Sequence, residues 1–308
     1  MQCLQHPTLN VNAHNLSSQF IQEVSLLAND ISRNRISDWS EIQKILKIAT
    51  KEKCPDLLEL GNQLVETLES DQGFAVVKDL PFRFYERPVL DYLYLSLCLC
   101  LGELTVHSNS KNVIWEVTPR SLPSGRKLTF SELNSKAPLH NDSAFRDIPE
   151  KYFGLLAVTT AKQGGNSVIV RVDELIQSLK KSPSGAQCLT ILRNQDFPFH
   201  VPPAFMRDPS QSNIVLAPVI ADSPLIRFRL DTIQAGFKCR PELATPERLW
   251  AIDYFNGFIN SYPDQLEFKL NNGDIIFVNN HKLLHGRTRF TGKDRLLLRV
   301  RIDKNAND

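Results

Sequence analysis

The 308-residue sequence contains little that would commit it to a membrane, a nucleic acid or a disulfide scaffold. No apolar run approaches the roughly 20 residues needed to cross a bilayer. The opening MQCLQHPTLNVNAHN lacks the basic-then-apolar order of a secretory leader. Neither sign of charge is in excess, since 36 Lys and Arg against 34 Asp and Glu leave +2, which gives no field to recruit a phosphate backbone or an anionic lipid surface. The six cysteines, at 3, 54, 98, 100, 188 and 239, form no CxxC pair. With Cys98 and Cys100 inside YLYLSLCLCLG, they are expected to be small core residues of a reducing compartment rather than disulfides or thiolate zinc ligands. Internal repeats, low-complexity tracts and a clear interdomain linker are missing too. One cytoplasmic domain spanning 1–308 is expected, with no nucleic-acid or membrane partner.

What is present fits an ordinary globular chain, 42 % apolar and 23 % charged, long enough for a sizeable core. Phe20, Ile21, Val24, Leu27 and Ile31 recur at helical spacing, and DLLELGNQLVETLES (56–70) repeats the pattern. GFAVVKDLP (73–81) then reads as a strand stopped by proline, followed by a helix over about 87–102. From 112 onward short apolar runs dominate: NVIWEVTP, YFGLLAVTT, NSVIVRV, SNIVLAPVI, LIRFRLD, DIIFVNN and RLLLRVRID. Among them helices are expected only at 173–181 and 244–261, the latter with Thr245 as N-cap and Pro246 at its first position. The fold class expected is mainly β with flanking helices: a helical N-terminal layer over 1–72 on a β sandwich or barrel over 73–308.

PLHNDSAF (138–145) sets His140 two residues from Asp142. Taken alone, that is better explained by a capped polar turn. A third ligand changes the weighing. Of seven histidines, His6 and His14 fall in a terminal segment expected to be mobile, and His281 is open between a supporting and a surface role. His285, in GDIIFVNNHKLLHGRTRF, follows an apolar strand that ends where a barrel mouth would be. RLLLRVRID (295–303) alternates, placing Arg295, Arg299 and Arg301 on one face and Leu296, Leu298, Val300 and Ile302 on the other. An interior arginine needs an anion, and a carboxylate-bearing cosubstrate supplies one in bidentate geometry. Two histidines and a carboxylate hold one face of an octahedral iron(II), leaving positions for a chelating 2-oxo acid and dioxygen.

On these residues the chain resembles the iron(II)- and 2-oxoglutarate-dependent oxygenases of the taurine dioxygenase and clavaminate synthase type, closest to the branch of asparagine and arginine hydroxylases. The resemblance runs from residue 73 to the C-terminus through IWEVTP, PLHNDSAF with YFGLLAV, KQGGNSVIV, and NNHKLLHGRTRF with RLLLRVRI. It implies a double-stranded β-helix, or jelly roll, with Fe(II) on His140, Asp142 and His285, and with 2-oxoglutarate and O2 as cosubstrates. Arg299, fourteen residues after His285, would take the distal carboxylate of 2-oxoglutarate, with Arg295 as the alternative clamp and Arg301 structural. Ser167, in GGNS, stands where the family commonly has a cosubstrate-binding threonine.

The implied reaction is hydroxylation of an unactivated C–H bond in a small amino acid or amino-acid derivative, releasing succinate and CO2. A lid over about 116–139 would cover the site, with Arg120, Arg126 and Lys127 available to a substrate carboxylate. Arg229 and Asp231 lie where the amino-acid hydroxylases contact substrate. Two departures from the branch stand out: Asp142 replaces its usual Glu, and Asp303, four residues beyond Arg299, is acidic where the arginine hydroxylases have a basic substrate-binding residue. Alternatives are taurine-dioxygenase-like oxidative cleavage of a small sulfonate or carboxylate, a non-catalytic cupin-like metal-binding protein, and a zinc hydrolase. The last two require no interior anion clamp after the second histidine.

Overall fold

The computed structural model describes residues 8–10, 16–33, 35–106, 112–121, 128–205, 213–221 and 225–303. His6, His14, His107, Arg126 and Lys127 lie outside them. The expected helical layer consists of α1 (Ser18–Ser32), α2 (Trp39–Lys53) and α3 (Pro55–Glu69). The side chains of Ser17 and Asp38 accept from first-turn amides of α1 and α2, and α3 opens on Pro55, whose missing N–H costs nothing there. A fourth helix, α4 (Val89–Leu99), buries almost every residue.

The strands are β1 (Thr8–Asn10), β2 (Phe74–Lys78), β3 (Glu103–Leu104), β4 (Trp115–Val117), β5 (Ala137–His140), β6 (Tyr152–Thr159), β7 (Ser167–Arg171), β8 (Phe197–His200), β9 (Ile214–Ala217), β10 (Leu266–Phe268), β11 (Ile275–Asn279), β12 (Leu283–Arg287) and β13 (Leu296–Asp303). A larger sheet has the order β1-β2-β11-β6-β13-β3, with β4 also on β13; a smaller one runs β10-β7-β12-β5, and β8 pairs with β9. The β1–β2 pair is parallel.

Strand alternation sorts the side chains into layers. Ala75, Val77, Ile275, Phe277, Leu298, Val300 and Ile302 leave the larger sheet on the side of α1–α4 and join one core with Leu46, Leu64 and Leu93. Their neighbours Phe74, Val76, Ile276, Val278 and Leu297 face the other way and meet Ile169 and Leu283 of the smaller sheet. Leu139, Val168, Val170 and Leu284 then back onto a third core with α5 (Val172–Leu179), α6 (Pro183–Asn194), α7 (Leu230–Cys239) and α8 (Pro246–Ser261). Two facing sheets, each covered outside by helices, form the expected jelly roll, and burial on both faces explains why its strands read as nearly continuous apolar runs. Each fully buried aliphatic or aromatic side chain in these layers contributes roughly 1.5–3 kcal/mol.

Three expectations change. Residues 183–194 and 230–239 are helices α6 and α7; at α6, Ser182 caps Gly185 N–H ahead of Pro183, a start that reads as a turn in SPSGAQ. LIRFRLD is not a strand: Ile226 makes one bridge to Ile220 and the chain enters α7 at Leu230. The N-terminal layer also carries β1 on the edge of the larger sheet. The helices expected over 173–181 and 244–261 are α5 and α8, and Thr245 caps Arg248 N–H. None of the described cysteines is joined in a disulfide, and Cys98 is fully buried. No described helix is long and apolar enough to cross a membrane.

Candidate metal centre and active site

β12 lies between β7 and β5, and its His285 is the direct cross-strand partner of His140 at the end of β5. Paired residues of antiparallel strands project to one side, so both imidazoles point between the sheets, with ring centroids 4.4 Å apart. The Phe153 ring on the opposing β6 lies 4.5 Å from His285. Asp142, two residues past His140, completes a group whose donor atoms all lie within 4.8 Å of one another.

Amide side chains fix the acidic member. Asn280 accepts from the Asp142 backbone N–H at 2.8 Å and donates to the carbonyls of Asp142 and Glu150 at 3.0 and 2.9 Å. Asn141 donates to the carbonyls of Asn280 and Ile226 and accepts from the N–H of Phe228. His281 donates to Pro149 O at 2.8 Å, and Arg227 donates to the carbonyls of Arg146 and Asp147, so the loop from 141 to 150 is tied along its length. His281 thus supports the site and is not among its donors.

The donor set suits a divalent metal. His140 Nδ1 donates to Pro138 O at 2.8 Å, which fixes the tautomer and leaves Nε2 as a lone-pair donor on the side of Asp142, 3.9 Å from its Oδ1. His285 Nδ1 is buried with no hydrogen-bond partner among the described residues. Burial pushes both imidazoles down, most strongly His285, where His140 adds to the effect, so both are neutral and available. Burial alone would push the Asp142 carboxyl up, but the guanidiniums of Arg299 and Arg301 more than reverse this and hold it ionised.

The arginines of β13 divide in a way that residue counting does not show. Arg299 Nη1 approaches Asp142 Oδ2 at 2.9 Å and Arg301 Nε lies 3.5 Å from the same oxygen. Arg301, expected to be structural, is therefore part of the charged cluster, and it also lowers the carboxyl of buried Glu150. Arg295 is just as buried, and its Nη1, like the Nε of Arg299 and of Arg301, has no hydrogen-bond partner among the described residues, but unlike those two it has no described carboxylate within ion-pair distance. It sits beside the GGNS turn: a Cβ on Gly165 would lie 3.5 Å from its Nε. Ser167, two residues further, pairs with Arg287 across β7 and β12. Arg287 and Arg295 both stack on Phe290, their guanidinium carbons 4.8 and 5.0 Å from the ring centroid.

On the other flank Arg229 forms a two-pronged pair with Asp231, 3.0 and 3.2 Å, and stacks on Phe130 at 5.1 Å. The Phe130 ring lies 5.5 Å from that of His140. This brings Arg229 and Asp231 beside the donor cluster. Asp303 lies at the end of β13 opposite Glu103, its Oδ2 accepting from Thr105 at 3.3 Å. Of the expected lid, residues 128–136 form a capped turn around a short 3-10 helix at Phe130–Glu132, and Arg120 is half-exposed, 3.9 Å from Glu116.

The sequence reading did not single out Asn141, Asn280, Phe130 or Arg287. The one available signal was adjacency, since Asn141 lies inside the HND triplet, Asn280 immediately before His281, and Arg287 two residues after His285.

A family model described as taurine catabolism dioxygenase TauD, TfdA family, matches residues 42–301. Among solved structures, asparagine oxygenase AsnO in complex with Fe(II), 2S,3S-3-hydroxyasparagine and succinate superposes with a TM-score of 0.71 at 18 % identity, covering 98 % of this chain and 94 % of that one. The non-heme iron oxygenase OrfP, in complex with Fe and alpha-ketoglutaric acid, gives 0.65 at 16 % identity, covering 98 % and 95 %. At these identities the likeness is one of fold. No curated protein matches the sequence.

Proposed function

The chain belongs to the TauD/TfdA family of dioxygenases, and on that premise we propose that it is an Fe(II)- and 2-oxoglutarate-dependent hydroxylase of a small amino acid or amino-acid derivative. The observation that carries the reading is the convergence of His140, Asp142 and His285 on one buried point between the sheets. Similarity in fold to AsnO and OrfP, whose structures hold hydroxyasparagine and hydroxyarginine, supports the amino-acid class. The protein works as one domain in the cytoplasm on a small-molecule substrate.

His140, Asp142 and His285 hold the iron. Bound there together with 2-oxoglutarate, it supplies the oxidising power that couples decarboxylation of the keto acid to hydroxylation of the substrate by O2, giving succinate and CO2. The protein's own part is placement and exclusion of water. The fourteen-residue spacing points to Arg299 as the clamp for the distal carboxylate, but Arg299 is engaged with Asp142 at the metal end of the cluster. Arg295 is the better assignment: buried, with an open Nη1, and beside the turn that carries Ser167. Arg299, four residues on, then faces the substrate side as the basic group that takes an α-carboxylate. Asp303 needs no substrate role on this assignment, and the acidic departure noted at that position disappears. Asp231, half-exposed and oriented by Arg229, is the acceptor for an ammonium group.

Anaerobic protein loaded with Fe(II) and 2-oxoglutarate is expected to show the weak visible band of the chelate, and to release succinate on admission of O2 with one member of an amino-acid panel. The band disappears in His285→Ala. Arg295→Ala raises the 2-oxoglutarate requirement at least tenfold, while Arg299→Ala mainly raises the KM for the amino acid. Well-folded, iron-loaded protein without band or succinate overturns the reading, and an exchange of the two arginine phenotypes restores Arg299 as the clamp.

A further inference from the structure

We infer that Arg287 is a latch through which the 2-oxoglutarate site governs the lid turn over residues 128–136, an inference that rests on Arg295 as the cosubstrate clamp. Arg287 spends its guanidinium on three main-chain carbonyls of that turn: Nη1 donates to Phe130 O at 3.3 Å, and Nη2 to Leu133 O at 2.8 Å and Ser135 O at 2.6 Å. Its pair of strand neighbours, β5 and β7, gives it no carboxylate; none is found within ion-pair distance among the described residues, and its charge is met only by peptide dipoles and the Phe290 ring. The turn it holds presses Phe130 against the His140 ring and carries the stacked Arg229. The backbone N–H groups of Phe290 and Arg120 also tie the turn, to Asn134 O and Glu132 O at 3.1 Å each, and the three Arg287 bonds are the side-chain share of what holds it over the metal centre.

The second half of the coupling is the shared ring. Phe290, 2 % exposed, takes both the Arg287 and the Arg295 guanidinium on its π-system. Two buried cations on one ring oppose each other in a poorly polarisable surrounding. A carboxylate arriving on Arg295 cancels this opposition. The Phe290 face is then left to Arg287, which holds that guanidinium over the ring and in line with the three carbonyls. Binding of 2-oxoglutarate thus closes the turn over the metal before substrate oxidation, and the closed turn in return retains 2-oxoglutarate by the same factor.

The test reads amide hydrogen exchange over residues 128–136 in anaerobic Fe(II)-loaded protein, with and without 2-oxoglutarate, while the visible band reports binding independently. In the wild-type protein 2-oxoglutarate is expected to slow exchange about fivefold or more. Arg287→Gln should exchange fast in both states. Phe290→Leu leaves the three carbonyl bonds in place and removes the shared ring, so it should start with wild-type protection and show no slowing although the band forms. A band with unchanged exchange in the wild type, or full slowing in Phe290→Leu, overturns the coupling and leaves the oxygenase reading intact. A missing band removes the cosubstrate reading and the coupling with it.

Discussion

Asp142 stands between two guanidiniums in a site where burial alone would favour its neutral form. The carboxylate is as necessary to Arg299 and Arg301 as to a metal, because removing one member of a buried charge cluster leaves the others uncompensated. Metal-free Asp142→Asn, which keeps the shape and deletes the charge, is expected to lose about 3–5 kcal/mol in denaturant unfolding; wild-type stability in this variant would show that solvent, not Asp142, carries the arginine charge. At this scale the donors were legible in the sequence, since the chemistry dictates residue types and His140, Asp142 and His285 keep them in order. The supports were not. Asn280 meets Asp142 across a sequence separation of 138 residues, and an asparagine carries no mark of such a partner. Nor does counting from His285 choose between Arg295 and Arg299, because the path of the connection from β12 to β13 decides which one reaches the GGNS turn.

Among the elements, β13 does two jobs by alternation alone: Leu298, Val300 and Ile302 anchor the helical layer while Arg299 and Arg301 face Asp142. That much was visible in RLLLRVRID. The seat of α4 on β6 was hidden, because it depends on a side chain that is absent. A Cβ on Gly154 would lie 2.6 Å from the Tyr94 hydroxyl and 2.8 Å from the Phe277 ring, so helix and sheet approach closely only at glycine. Gly154→Ala is expected to cost about 1–3 kcal/mol by overpacking, read as a lower urea midpoint with the Fe(II)–2-oxoglutarate band retained, since the strain lies on the face away from the metal. An unchanged midpoint would mean that α4 has room to withdraw. Helices α6 and α7 escaped the sequence reading for a related reason: Gly185 and Gly236 look like breaks, yet each lies where neighbouring backbone, Leu179 O or Pro198 O, leaves no room for a Cβ.

For the whole molecule, the N-terminal layer is part of the core rather than an appendage, because α1 to α4 bury the outer face of the larger sheet. A chain beginning at residue 73 is expected to aggregate, since β2, β11 and the outer side of α4 would lose α1 to α3 and present Val77, Ile275 and the apolar side chains of α4 to water; a soluble, metal-binding fragment in size-exclusion chromatography would refute this. The sheet order has a consequence in time. β11 inserts between β2 and β6, β12 between β7 and β5, and β13 between β6 and the short β3 and β4. Each of the three arrives after every partner it joins, with gaps of more than one hundred residues to several of them. A nascent chain therefore carries two sheets with vacant middles until residues 275–303 emerge, and neither sheet can close early. Such non-local closure is slow and leaves strand edges open to other chains meanwhile. The stretch that supplies His285 and all three β13-side arginines is the same one that ends this exposure, so acquiring the chemistry and escaping aggregation are a single late event in the life of each molecule.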